Sequence, residues 1–238
     1  MNSSNTDLEI YTAFGLAITS DVVLPELVKH PAPQDAAEKV KIAGSNRTSW
    51  PKLKISEHST AIVQMSDDDW RLSLEGIGWF RVSQGQSIEW ERWDDSVSDR
   101  DLRTFLVSTA LGALMIQRGN LMLHATTIVK EGKAVLLLGE PACGKSTLAF
   151  CLQENGWKLL SSEITYVDSN GMVWPGVQQI KLWLDALMEL DLNKHNLPLV
   201  RRGLKRYSLM PTELEIVNQA TPLSTIYDVV RQRKESKK

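Results

Sequence analysis

From Leu8 to about Trp93 the apolar positions come in short runs that alternate with polar ones. In "DWRLSLEG", Trp70, Leu72 and Leu74 fall on one face of an extended chain, and most of the eight tryptophans lie in or near such runs. Period-two alternation marks half-buried strands, so this stretch predicts a β-rich region. The polar, proline-broken "PELVKHPAPQDAAEKV" within it reads as a loop. At Ser98 the period changes. Ser98 followed by Asp101 resembles a capping box, and Leu102, Phe105, Leu106, Ala113 and Ile116 share a helical face. The spacing predicts a helix that stops at Gly119.

Two extended runs then flank Glu131-Gly132 and predict a hairpin whose second strand leads into "GEPACGKST". A helix follows from about Lys145 to Asn155, stopped by Gly156. "WKLLSSEITYVDSNGMVWPG" predicts a buried strand and a second hairpin, with a type I′ turn at Asn170-Gly171. "IKLWLDALMELDL" reads as an amphipathic helix, "RRGLKRYSLMP" as a cationic segment and "LSTIYDVV" as a final strand. The pattern gives an α/β chain in three parts: a smaller β-rich region over 1–95, an α/β domain over 96–230, and a basic, disordered tail over 231–238. The boundary is expected near residues 94–98.

Composition narrows the function. The chain has 238 residues, enough for one large or two small cores. Its 27 basic and 29 acidic residues give a net charge of -2, which excludes a global field for nucleic acid or an anionic membrane. Its longest apolar runs fall short of the roughly 18 residues needed to cross a bilayer, and its opening lacks the features of a signal peptide. A cytoplasmic location is expected. Two cysteines, Cys143 and Cys151, do not make a disulfide framework.

Gly139, Gly144, Lys145 and Ser146 satisfy G-x-x-x-x-G-K-[ST], between an apolar strand and a helical pattern. Gly139 permits a sharp turn and Gly144 lets the backbone approach a phosphate. The loop Glu140, Pro141, Ala142 and Cys143, with the helix start through Thr147, offers N–H donors to an anion. Lys145 adds positive charge toward the outer phosphates, and Ser146 can ligate magnesium. Nucleotide binding at a phosphate-loop domain is the expectation. Cys143 reads as a small filler of the loop.

The segment "LMLHATTIVKEGKAVLLLGEPACGKSTLAFCLQENGWKLLSSEITYVDSNG" resembles the catalytic domain of HPr kinase/phosphorylase, and more closely the shorter HPr-kinase-like proteins. "IYTAFGLAITSDVVLPEL" and "VSDRDLRTFLVSTALGALMIQRGNLMLHA" extend the resemblance over most of residues 9 to 228. It implies an enzyme that uses ATP and magnesium to phosphorylate a serine on a peptide or small protein, as in kinases of lasso-peptide precursors. It also implies that His124 takes the family's active-site histidine position, and that the strand end "SSE" lies where the family carries Ala-Asp-Asp.

Ser162 then replaces the first acid, and Glu163 retains the second, with the metal. A serine hydroxyl is a far poorer proton acceptor than a carboxylate, so proton abstraction falls to Glu163 or His124. Two further readings stay open. One is a nucleotide-binding regulator or pseudokinase, which Ser162→Asp would awaken. The other is a small-molecule kinase or ATPase. In the cationic segment, Lys205 and Arg206 match the family's basic loop, although a charge run is by default a solvated face. The chain stops soon after "STIYDVV", where the shorter relatives continue, and this predicts an uncovered surface and a homo-oligomer.

Overall fold

A computed structural model describes residues 9–29, 38–45 and 61–231. The central part of the proline-broken segment, residues 30–37, lies outside them, as do 232–238 of the basic tail. The chain is mixed α/β, built on mixed sheets with few helices. It divides into two compact units, one of residues 1–122 with 199–204, the other of 123–198 with 205–238.

The first unit carries the β-rich region. Its strands are β1 (Glu9–Ala13), β2 (Leu16–Ser20), β3 (Val28–Lys29), β4 (Glu38–Gly44), β5 (Ala61–Met65), β6 (Asp69–Leu74), β7 (Gly78–Ser83) and β8 (Ser87–Arg92). They form one sheet in the order β3-β1-β2-β4-β8-β7-β6-β5. β4 runs parallel to both β2 and β8. In β6, Trp70 and Leu72 are buried as their alternation requires, while Leu74 is half-buried at the strand end.

The predicted helix follows as α1 (Asp99–Phe105), a π-helical turn (Leu106–Ala110) and α2 (Leu111–Gln117). Ser98 caps it with a reciprocal Asp101 capping box, and Gly119 ends it at φ 76°. Leu102, Leu106, Leu111 and Leu114 are fully buried, and Phe105 lies 5.9 Å from Phe80 of β7. The β-rich pattern ends near residue 95, but the first compact unit runs on to Met122, because this helix packs its apolar face on β7 and β8. Residues 199–204 belong to it as well: the Arg202 N–H donates to the Asp101 carboxylate at 2.7 Å.

The second unit is a seven-stranded sheet of order β12-β10-β11-β17-β14-β13-β9. Its members are β9 (Met122–Leu123), β10 (Thr126–Lys130), β11 (Lys133–Leu138), β12 (Lys158–Ser161), β13 (Thr165–Val167), β14 (Met172–Trp174) and β17 (Thr221–Asp228). β15 (Ile180–Trp183) and β16 (Arg206–Leu209) form a separate antiparallel ribbon. α3 (Lys145–Gln153) packs on β10, β12 and β15, and α4 (Leu184–Glu189) packs on β15. β17 runs parallel to β11, directly under the strand end that leads into Gly139.

Two local expectations are corrected. The type I′ turn lies at Glu131-Gly132, where both residues have positive φ (52° and 72°), and not at Asn170-Gly171, where only Gly171 does. There the Asp168 carboxylate accepts the N–H groups of Asn170 and Met172, and this side-chain bonding sets a different turn. "IKLWLDALMELDL" is not one helix. Its first four residues are β15, with Ile180 and Leu182 at 2% and 1% exposure, and only Leu184–Glu189 is helical. Pairing with β16 overrides the helical pattern, since periodicity in so short an apolar run fits either element.

Candidate functional site

The loop after β11 is shaped by residues with positive φ: Gly139 at 133°, Ala142 at 62° and Gly144 at 112°. Gly139 is required twice over, because a Cβ there would lie 2.4 Å from the Val229 carbonyl oxygen and 2.8 Å from Cys143 Sγ. Gly144 is the N-cap of α3. The first N–H groups of a helix have no partner within it, and Gly144 through Thr147 line an open cleft of about 600 Å3. Pro141, Ala142 and Cys143 line it too. Gly139 and Glu140 do not, but their carbonyls accept from the Lys145 ammonium at 2.7 and 3.0 Å. Lys145 is 8% exposed and folds its charge back over its own loop.

His124, just before β10, and Glu163, just after β12, line the same cleft. The described structure thus brings together His124, Lys145, Ser146 and Glu163. The His124 residue is exposed overall, yet its imidazole is desolvated enough that burial, with the Lys145 charge beside it, pushes its pKa below the usual value against the pull of Glu163. Neutral imidazole, a proton acceptor, is the favoured form.

Glu163 has φ 64°, and the Ile164 N–H donates to the Ser162 carbonyl at 2.7 Å. That is a three-residue γ-turn with a non-glycine residue at its centre, a strained arrangement held by its surroundings. Two serines hold it. Ser161 Oγ donates to the Ile164 carbonyl at 2.6 Å, and Ser162 Oγ donates to the Gln179 carbonyl. Ser162 is 2% exposed and does not line the cleft. It sits inside the fold as an anchor of the turn, and it is Glu163 that reaches the cleft.

Sequence reasoning missed the residue that meets Glu163 there. Lys181 of β15 places Nζ 2.6 Å from Glu163 Oε2, and its side chain is 1% exposed. Arg206 of β16 places Nη1 3.2 Å from Glu163 Oε1, with its guanidinium over the Trp183 ring at 5.6 Å. Lys181, Trp183 and Arg206 all line the cleft. The helical reading of 180–192 singles out no site residue at Lys181. The pattern Ile180-Lys181-Leu182 is also a period-two strand, and that was the signal available. Of the cationic segment only Arg206 reaches the site: Arg201 and Arg202 belong to the first unit, and exposed Lys205 gives its carbonyl to the Leu184 N–H.

The residues present do not offer magnesium the carboxylate that the resemblance implies. Ser146 has a free-standing hydroxyl in the cleft, but both oxygens of Glu163 already hold cationic nitrogens. Among the described residues no group of three or more His, Cys, Asp and Glu could hold a metal ion. Nor is any described helix long and apolar enough to cross a membrane. No protein-family model matches the chain, and no curated protein matches it significantly.

Proposed function

We propose that the second unit is a phosphate-loop nucleotide-binding domain of the HPr-kinase-like kind, and that it transfers the terminal phosphoryl group of ATP to a serine hydroxyl of a peptide or small protein. One observation carries this reading: the Gly139–Ser146 loop and the start of α3 open onto the same cleft as a neutral-leaning His124. An anion seated on the first turn of α3 meets unpaired N–H groups and the positive end of the helix dipole. Lys145 then exchanges the Gly139 and Glu140 carbonyls for phosphate oxygens, a stronger, charge-assisted pairing.

The chemistry asked of the side chains is small, since phosphoryl transfer rests mainly on positioning and charge. The serine oxygen forms the new bond to phosphorus, the bond from phosphorus to the bridging oxygen of the diphosphate breaks, and the hydroxyl proton passes to the His124 imidazole. Ser162, buried away from the cleft, takes no part. The half-exposed Trp183 on the cleft wall gives a peptide acceptor an apolar surface to lie against.

A second reading, a regulator that binds nucleotide without turnover, is favoured by one feature: Glu163 presents a neutralised carboxylate rather than a free one. The deciding experiment incubates the full chain with labelled ATP and serine peptides, beside Lys145→Ala. Phosphopeptide formed by the native chain and lost in the variant is the expected result. ATP binding without any labelled product would leave the regulator. Equal binding by both proteins would remove the loop from the argument.

A further inference from the structure

The cluster of Glu163, Lys181 and Arg206 is one carboxylate between two cations, so it carries a net charge of +1 into the cleft wall. Resting on the nucleotide reading above, we infer that this cluster does the work of a divalent cation: it neutralises the phosphate chain directly, and the site takes a nucleoside triphosphate as the metal-free anion.

The geometry points this way for three reasons. Lys181 has no alternative partner in water, because its side chain is 1% exposed, and the Glu163 carboxylate at 2.6 Å is its hydrogen-bond acceptor. A metal ion entering on Glu163 would either crowd its charge against two fixed cations or displace that ammonium and leave a buried charge unpaired, and both are costlier than leaving the pair intact. Glu163 is also held from both ends, its backbone by the γ-turn that Ser161 and Ser162 support and its two carboxylate oxygens by Lys181 and Arg206, so turning to a metal means giving up one of these cations.

Arg206 supplies the third. Its side chain is 24% exposed on the cleft, and its Nε–H is buried without a partner, so one oxygen of Glu163 leaves the guanidinium incompletely satisfied. A planar guanidinium in that condition is suited to phosphate oxygens, which it pairs more tightly than a single carboxylate oxygen at 3.2 Å. With Lys145 of α3 on the loop side, an entering triphosphate meets fixed cations from three elements, α3, β15 and β16, in a cleft that Asp185 and Glu189 of α4 also line.

The test is calorimetric titration of the full native chain with ATP, once in excess EDTA and once in excess magnesium, repeated on Arg206→Gln. The native dissociation constant is expected to agree within about threefold between the two buffers. Arg206→Gln, a change at a partly exposed position, is expected to weaken binding in EDTA by about tenfold or more, the size of a lost charge-assisted contact. Native binding that weakens by about tenfold or more in EDTA would overturn the inference alone and leave the nucleotide reading standing. So would an Arg206→Gln chain that binds ATP in EDTA as the native chain does. Absence of ATP binding in both buffers would overturn the inference together with the nucleotide reading.

Discussion

Ser162→Asp tests the site most sharply, because the family pattern and the structure demand opposite results. By pattern, the substitution restores an acid and wakes a kinase. In the structure, Ser162 is 2% exposed, its Oγ donates to the Gln179 carbonyl, and its N–H donates to the Val177 carbonyl at 2.7 Å. A carboxylate in that position faces a carbonyl oxygen with no donor to offer it. The side chain has two ways to remain folded. It can stay ionised, at the several kcal/mol of an unpaired buried charge. Or it can take up a proton and donate to Gln179 as serine did. At pH 7 protonating a group of ordinary pKa near 3.9 costs about 1.4 kcal/mol for each of about three pH units, or about 4 kcal/mol.

Protonation sets the ceiling, so the expected loss of stability is about 4 kcal/mol at pH 7. The sign follows from the raised folded-state pKa. The unfolded chain binds fewer protons at this side chain above its ordinary value, so the loss grows with pH through that window and shrinks on acidification. At about pH 5 it should have fallen to about 1.5 kcal/mol. Urea unfolding of the native and variant chains at both pH values, followed by circular dichroism, reads the difference. A loss under about 1 kcal/mol at pH 7, or one that does not shrink at pH 5, would refute the buried-anchor assignment. So would a gain of phosphotransfer at full stability.

Two further outcomes are expected. Gly139→Ala places a methyl group 2.4 Å from the Val229 carbonyl at a φ of 133°, so backbone strain and overpacking together should cost about 4 kcal/mol in urea unfolding; an unchanged midpoint would deny the close approach of loop and β17. His124 has a folded pKa below its ordinary 6.5, so its penalty is absent above that value and appears as pH falls through it. His124→Gln should therefore tolerate about pH 5.5 better than the native chain does relative to about pH 7.5, and parallel stability profiles for the two proteins would show that the ring is not desolvated.

What could be read from the sequence were the elements whose signals are local. Ser98 and Asp101 cap each other three residues apart, and Gly119, Gly132 and Gly156 mark turns at their own positions. Trp70 and Leu72 share a face because alternation is a property of adjacent residues. The Asn170-Gly171 turn failed on a local side-chain bond from Asp168, and the other failures have a partner far along the chain. β15 is a strand because β16, more than twenty residues later, pairs with it from Ile180↔Leu209 to Trp183↔Arg206. The first unit reaches beyond the β-rich pattern because the helix after Ser98 packs on β7 and β8, and residues 199–204 join it through Asp101. The 139–146 loop was legible for the opposite reason: strand, glycines, lysine and helix follow without interruption.

The pair Ser162-Glu163 shows the same limit at the site itself. Aligned by pattern, both positions look like candidates for one acidic function. Consecutive residues at a strand end point to opposite sides, so one of the two goes into the fold unless the turn rotates it out. Here the inward place falls to Ser162, a small donor that the Gln179 carbonyl can use, and the γ-turn rotates Glu163 into the cleft. Its partner there is Lys181, 18 positions on, whose ammonium is buried against it. A carboxylate bound in that way works best as the anchor of two cations. In the proposed phosphoryl transfer the proton of an acceptor hydroxyl is therefore assigned to His124, whose pKa burial and the Lys145 charge lower.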